Sequence, residues 1–319
     1  MKKIVLYNPA VSTMNLGDQI IWDGVAAALR PLFPGAFYVE ISTHLPVSPW
    51  YMRLLADADL RFVCGTNLIS STMNRFRQWN VNLRTAGSVR PTILLGVGWW
   101  QYQRNPNLYS RLLIRRLLSR THWHSVRDQY TADKLASVGI RNVVNTGCPS
   151  MWGLTPEHCR TIPCDKAPSV IFTLTDYNQS PEADRRLIAI LNRNYRRVRF
   201  WTQGWNDRDY FLSLEPGTNI EVIGPSLAAY DRALDEEDAD YVGTRLHAGI
   251  RAIQRRRRAL ILGVDNRAAE KQKSFGLNVL DRRQLDELEA RIRQPITTEI
   301  RLPDANIRRW LAQFRENSN

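Results

Sequence analysis

The chain has 319 residues, 44% of them apolar, enough material for two cores of roughly 150 residues each. No stretch reaches the ~18 uninterrupted apolar residues of a membrane span. The opening run Ile4-Val5-Leu6-Tyr7 is cut by Asn8 and Pro9 before it can form a signal-peptide core, so a first strand and a cytoplasmic location are expected. The formal charge of +13 favours anionic partners: nucleic acid, an acidic membrane surface or a phosphorylated substrate. Four cysteines (Cys64, Cys148, Cys159 and Cys164) make no disulfide framework in a chain this long, and the spacing of His158, Cys159 and Cys164 fits no common zinc pattern.

Apolar runs and helical patterns then alternate. Strands are expected at Lys3–Tyr7, Ala36–Ile41, Leu60–Cys64, Thr92–Val97, Trp123–Val126 and Asn142–Asn145. Helices are expected at Asp18–Leu29, Tyr51–Ala56, Leu108–Leu118 (basic and amphipathic) and Gln129–Ser137. The stretch Met151–Pro168, with its prolines and no clear period, reads as a linker. Beyond it the rhythm restarts, with strands at Ser169–Leu174, Val198–Thr202, Ile220–Ile223, Ala239–Val242 and Ala259–Val264. Helices are expected at Glu182–Asn192, Leu227–Asp235, Leu246–Gln254, Gln284–Ile292 and Asn306–Phe314. Such alternation implies α/β architecture: two Rossmann-like, doubly wound parallel sheets, residues 1–150 and 169–319, joined by a linker at 151–168. Their strand ends are expected to face a shared cleft, as in GT-B-like enzymes, with the ligand bound there.

Three segments carry candidate chemistry. Asn15-Leu16-Gly17-Asp18 follows the first strand. Gly17 permits a tight turn or close approach, while Asn15 or Asp18 either caps the next helix or, for Asp18, accepts a proton from a hydroxyl. In Ser125-Val126-Arg127-Asp128, Arg127 is placed for bidentate binding of a carboxylate or phosphate, and Asp128 as a helix cap; the alternative is a simple Arg–Asp pair. Gly243-Thr244-Arg245-Leu246-His247 runs from a strand into a helix. There an arginine, a histidine and free backbone N–H groups suit a phosphorylated anion, and His247 is the candidate proton donor or acceptor.

Weaker features surround these. Gly96-Val97-Gly98 ends a strand without continuing as a dinucleotide fingerprint. Trp99 and Trp100 are placed to stack on a sugar or to fill the core. The arginine run Arg255–Arg258 reads as a solvated helix end or as a basic surface for lipid headgroups. His122 and His124 alternate along a strand, which argues against a shared metal.

Taken together, Asn-x-Gly-Asp at 15–18, Ser-x-Arg-Asp at 125–128, Gly-Cys-Pro-Ser at 147–150 and Thr-Arg-Leu-His-Ala-Gly-Ile at 244–250 resemble the polysaccharide pyruvyl transferases. Val264-Asp265-Asn266-Arg267 with Lys271 and Phe275-Gly276-Leu277 extends the likeness. The resemblance implies a GT-B-like fold, phosphoenolpyruvate as donor and transfer of pyruvate as a ketal onto a sugar hydroxyl pair of a polysaccharide or lipid-linked precursor. It also implies that Arg127, Arg245, Leu246 and His247 bind phosphoenolpyruvate. Asp18 lies on the acceptor side, in the N-terminal domain, and His247 and Asp18 are the catalytic candidates. Asn15, Asn67 and Trp99 are the candidate acceptor contacts; the loop Cys64-Gly65-Thr66-Asn67 departs from the glycine-rich form common in the family. No metal and no cofactor beyond the donor are expected, nor a nucleic-acid partner, since the arginines are spread over many helices. Location at the inner membrane surface is compatible with this chemistry. The nearest alternative is a GT-B glycosyltransferase using a nucleotide sugar.

Overall fold

The computed structural model describes residues 1–315, apart from the side chain of Asn266. The chain begins β1 (Lys3–Asn8), α1 (Gly17–Leu29), β2 (Phe37–Ser42), α2 (Pro49–Leu55), β3 (Leu60–Cys64), α3 (Ala86–Val89), β4 (Ile93–Leu95), α4 (Leu108–Leu117), β5 (His124–Val126), α5 (Gln129–Ser137) and β6 (Val143–Asn145). It continues α6 (Pro156–Arg160), β7 (Ser169–Thr173), α7 (Pro181–Asn194), β8 (Arg197–Trp201), α8 (Asp207–Ser213), β9 (Ile220–Ile223), α9 (Leu227–Glu236) and β10 (Ala239–Gly243). Last come α10 (Leu246–Gln254), β11 (Ala259–Gly263), α11 (Asn266–Phe275), β12 (Val279–Asp281), α12 (Leu285–Arg293) and α13 (Asp304–Arg315). The sequence pattern does not reveal α3, α6, α8, α11 or β12. Among the described residues no helix is long and apolar enough to cross a membrane.

Two compact units result. The first holds Met1–Thr13, Ile21–Trp152 and the residues from Leu302 on; the second holds Met14–Ile20 and Gly153–Arg301. The division differs from the expected one in three places. The stretch expected as a linker, 151–168, is divided between the units, Met151 and Trp152 in the first and Gly153–Pro168, with α6, in the second. Met14–Ile20 groups with the second unit because its backbone is stitched to the loop after β8: Leu16 N donates to Gln203 O at 2.9 Å and Trp205 N to Met14 O at 3.0 Å. Helix α13 returns to the first unit because Ile307, Trp310 and Phe314 fall on one helical face and need an apolar partner. They find it at Phe62 on β3, whose ring lies 5.3 Å from that of Phe314.

In the first unit the parallel sheet runs β2-β1-β3-β4, with β5-β6 as a further parallel pair; single bridges join Val97 to Val126 and Thr92 to Leu118. β1 is buried on both faces, as a strand covered by helices on each side must be. In the second unit the order is β12-β11-β10-β7-β8-β9, all parallel. The chain builds outward from β7 through β8 to β9, then crosses back to lay β10, β11 and β12 on the other side. This is the doubly wound Rossmann order, and it leaves a switch point between β7 and β10. Phe172, Phe200 and Phe211 form the aromatic centre of that unit's core, with Phe200 and Phe211 stacked at 4.1 Å.

Candidate active site

In the second unit the loops after β7, β8, β10 and β11 meet at the carboxyl ends of the strands, around the switch point. Thr244 and Arg245 are tied to β7: Thr244 N donates to Thr173 O at 3.1 Å and Arg245 N to Thr173 Oγ1 at 3.2 Å. Gly243 makes this possible, because a Cβ there would lie 2.7 Å from the Thr173 backbone nitrogen. The hydroxyls of Thr175 and Thr244 bond across the switch at 2.7 Å. Tyr241 OH donates to Arg245 O at 2.7 Å and fixes the turn that starts α10.

Arg245 is buried, 4% exposed, and its guanidinium is largely occupied. Nε donates to Asp207 Oδ2 at 3.0 Å and to Leu174 O at 3.2 Å, and Nη2 to Asp176 Oδ1 at 2.8 Å and to Asp207 Oδ1. Nη1 has no hydrogen-bond partner among the described residues. Burial opposes the charge on Arg245, but the Asp207 carboxylate outweighs it and keeps the group protonated. Burial also pushes the Asp207 carboxyl up, and Arg245 only partly offsets this. Gly204 leaves the room this arrangement needs, since a Cβ there would lie 2.2 Å from Arg245 Nη2. Arg245 is thus first a strut that joins the loops after β7, β8 and β10, with one nitrogen left for a ligand.

His247 and Leu246 lie in the first turn of α10, each 7% exposed. Tyr177, just after β7, stands between two cations: Arg245 is 5.0 Å and Arg267 5.5 Å from its ring centroid. Arg267 is itself paired with Asp265 at 2.6 Å, the cap of α11. Lys271 is buried, 3% exposed, and lies 4.8 Å from the Phe275 ring. Asn266 of the same segment lies outside the described residues as far as its side chain is concerned.

Asn15 belongs to this group of loops. Its Oδ1 accepts from Gly17 N at 3.1 Å and from Gln203 Nε2 at 2.8 Å, and its backbone bridges to Gly204. Gly17 is required by the fit, because a Cβ would sit 2.8 Å from Gln203 Nε2. Asp18 lies in the first turn of α1, 6% exposed. The two residues expected in the N-terminal domain therefore sit in the second unit, against the loop after β8 that leads to Arg245's partner Asp207.

In the first unit Arg127 follows β5 and is 4% exposed. Its Nε lies 3.1 Å from Asp128 Oδ2, and Asp128 Oδ1 caps α5 through Thr131 N at 2.8 Å. The Arg–Asp pair weighed as an alternative is present, buried rather than on the surface. Gly98 gives the guanidinium its space, as a Cβ there would lie 2.1 Å from Arg127 Nε. Trp99 does not offer a stacking face for a sugar. It is 1% exposed, donates from Nε1 to Gln103 Oε1 at 3.0 Å and belongs to the core. Asn67, 9% exposed, has a buried Oδ1 without a hydrogen-bond partner. That atom carries an unmet demand for a donor. Three of the run's four arginines are paired, Arg255 with Asp231, Arg257 with Asp238 and Arg258 with Asp240, and only Arg256 among them is exposed.

Asp176, Tyr177, Gln203 and Asp207 were not singled out in the sequence. Their only signal is position, since each stands within a few residues after the end of β7 or β8, where ligands of open α/β sheets bind.

Comparison with known proteins gives the fold and the family. No curated protein matches the chain. The UDP-GlcNAc 2-epimerase of Methanocaldococcus jannaschii, solved with UDP-GlcNAc and UDP, is 12% identical, covers 99% of each chain and superposes with a TM-score of 0.58. The UDP-GlcNAc 2-epimerase of Neisseria meningitidis, bound to UDP-GlcNAc, is 10% identical over 98% of this chain and 99% of its own, with a TM-score of 0.53. At such identities the likeness is one of fold, and that fold is GT-B-like. The model of the polysaccharide pyruvyl transferase family matches residues 15–266, from the Asn15 loop to the start of α11. Since that span takes in most of its length, the chain belongs to the polysaccharide pyruvyl transferase family.

Proposed function

We propose that the protein transfers pyruvate from phosphoenolpyruvate to two hydroxyls of a sugar in a polysaccharide or its lipid-linked precursor, forming a ketal. The observation that carries this reading is the start of α10 at the switch point. There Arg245 Nη1 and the backbone N–H groups of Leu246 and His247 offer positive charge to a small phosphorylated acid. A donor of this kind is a compact anion with phosphate and carboxylate groups, and helix N–H groups with a guanidinium match both.

In the proposed reaction the methylene carbon of phosphoenolpyruvate takes a proton and becomes the methyl group, leaving an oxocarbenium-like centre at C2. One sugar hydroxyl bonds to C2 and gives its proton to a base, for which Asp18 and His247 are the candidates. Phosphate leaves with its bridging oxygen, stabilised by the same donors. The second hydroxyl then bonds to C2, gives its proton to the released phosphate and closes the ketal, while the first hydroxyl's proton replaces the one taken up by the methylene carbon. One phosphoenolpyruvate and two hydroxyls are consumed, and inorganic phosphate is released. The residues proposed for the donor supply the positive charge without recruiting a cofactor. Asn15 in the second unit and Asn67 in the first are each candidate acceptor contacts; Trp99, buried in the core, is not.

The test pairs binding with turnover. Phosphoenolpyruvate should raise the melting temperature, and with a suitable glycan it should release phosphate and add the mass of a pyruvyl ketal to the acceptor. Stabilisation by nucleotide sugars with none by phosphoenolpyruvate would replace this reading with nucleotide-sugar transfer.

A further inference from the structure

Between Asp59 and Asp128 the chain carries no aspartate or glutamate, yet it carries eleven arginines. Arg61 and Arg127 are buried; the other nine (Arg75, Arg77, Arg84, Arg90, Arg104, Arg111, Arg115, Arg116 and Arg120) are exposed. None of the nine has a carboxylate partner among the described residues. Where they touch the chain they touch carbonyls, as Arg115 does at Val138 O, 2.6 Å from its Nε.

The cations are interleaved with apolar groups. Helix α4 buries Leu113, Ile114 and Leu117 on its inner face. Its outer face carries Leu108, Arg111, Leu112 and Arg115 at helical spacing, with Leu108 73% and Leu112 47% exposed. Leucines on the outer face gain nothing from water. α3 packs against both α4 and α2, and α2 adds exposed Arg53 and Trp50, the latter 62% exposed.

We infer that this face of the first unit docks on an anionic lipid bilayer. α4 lies in the headgroup plane, its arginines on lipid phosphates and Leu108, Leu112 and Trp50 at the acyl boundary. A nucleic acid would satisfy the arginines but leave the leucines in water. A bilayer with anionic headgroups satisfies both kinds of group at once. The helix has ten residues, half of what a span requires, so it lies on the membrane rather than in it. The inference stands independently of the donor assigned above, because none of its residues belongs to the candidate site.

Sedimentation of the full chain with vesicles tests it. Phosphatidylglycerol–phosphatidylcholine vesicles should bind the protein and pure phosphatidylcholine vesicles should not. R111E/R116E should raise the half-saturating lipid concentration by more than about tenfold, given roughly fivefold per arginine. L108S/L112S should raise it several-fold with charge unchanged. R185E/R208E, the same charge change on exposed arginines of the second unit, should leave it within about twofold. Thermal unfolding of each variant checks that it folds, and the vesicle comparison on the unaltered protein needs no variant. Three results overturn the proposal: no binding to phosphatidylglycerol vesicles, an equal loss in R185E/R208E, or no loss in L108S/L112S together with tighter binding to a mixed oligonucleotide than to vesicles.

Discussion

Each unit sets an arginine behind a strand end in a space that a glycine leaves open, but the two anchor its charge differently. In the first, Gly98 accommodates Arg127, and the carboxylate partner is the next residue, Asp128. In the second, Gly204 accommodates Arg245, whose partners Asp176 and Asp207 come from the loops after two other strands. One pair is local and orients a single turn; the other ties three loops together. The same contrast runs through the remaining arginines. Those of the second unit are often paired, as Arg251 is with Asp231 and Arg258 with Asp240, whereas nine in the first stand exposed without a carboxylate partner among the described residues. A buried guanidinium is costly unless an anion or backbone carbonyls take its N–H groups, as Leu55 O does for Arg61, while an exposed one needs only water or an external partner.

The largest expected effect comes from breaking the long-range anchor. Arg245→Ala leaves Asp207 buried without its cation and should destabilise the protein by about 3–5 kcal/mol in urea unfolding, with loss of phosphate release. Arg127→Ala should lose less, because Asp128 keeps its bonds to Thr131 N and Thr131 Oγ1. If the two losses were equal, Arg245 would not be the strut described. The Lys variant separates strut from ligand. Arg245→Lys keeps a charge against the carboxylates but loses the fork, so stability should recover more than turnover does.

A second effect belongs to the first unit alone. His124 is fully buried, accepts from Leu94 N at Nδ1 at 3.1 Å and donates from Nε2 to Ser119 O at 2.9 Å. Burial lowers its pKa from 6.5 to about 4; the Ser119 bond opposes this, while neighbouring His122 and Arg120 reinforce it. The folded state thus prefers the neutral ring. The unfolded chain takes up a proton as pH falls through 6.5, so the stabilisation is complete above 6.5 and is lost progressively down to about 4. Its full size is about 3 kcal/mol, at roughly 1.4 kcal/mol per pH unit. His124→Gln, which cannot titrate, should flatten the stability–pH curve in that window; an unchanged slope would remove His124 from the account.

Smaller and more symmetrical are the glycine effects. Gly98→Ala and Gly204→Ala each place a methyl group against a guanidinium and should cost about 1–3 kcal/mol. Gly153→Ala and Gly224→Ala meet nothing within 4 Å and should be nearly silent. If Gly204→Ala also lowers turnover while Gly98→Ala does not, the second unit's anchor is the one coupled to the site.

These anchors show what was legible in the sequence and what was not. The strand–turn–helix around Thr244–His247 could be read because its apolar run, glycine and polar turn are consecutive residues. Asp128 as the cap of α5 could be read for the same reason. Arg245's partners could not, because Asp176 and Asp207 are brought to it only by the order β10-β7-β8. The placement of Asn15–Asp18 failed on the same ground: the segment follows β1 in the chain, but hydrogen bonds to Gln203 and Trp205 assign it to the second unit. Trp99 stood open between a sugar contact and the core because a tryptophan after a strand looks alike whether it faces solvent or core, and burial decides for the core. Helix α8, which follows its cap Asn206, has seven residues, too few to show a helical period. The acid-free stretch was visible as a composition, but only the burial pattern shows that nine of its arginines lie outside.

The least of the expected effects is the one that separates the units by sign. Exposed like charges repel, and salt screens that repulsion; paired charges attract, and salt weakens the attraction. Raising ionic strength from about 0.02 to 0.5 M, where the Debye length shrinks from roughly 20 Å to about 4 Å, should therefore protect amides of the first unit from hydrogen exchange and slightly expose those of the second. Each change should stay below about 1 kcal/mol, since single surface charge interactions are worth no more than that. R75E/R84E should shrink the salt response of the first unit, because it replaces two of the repelling cations with partners for the rest. A response of the same sign in both units would mean that the nine arginines do not act on one another, and that the contrast between the units is one of geometry alone.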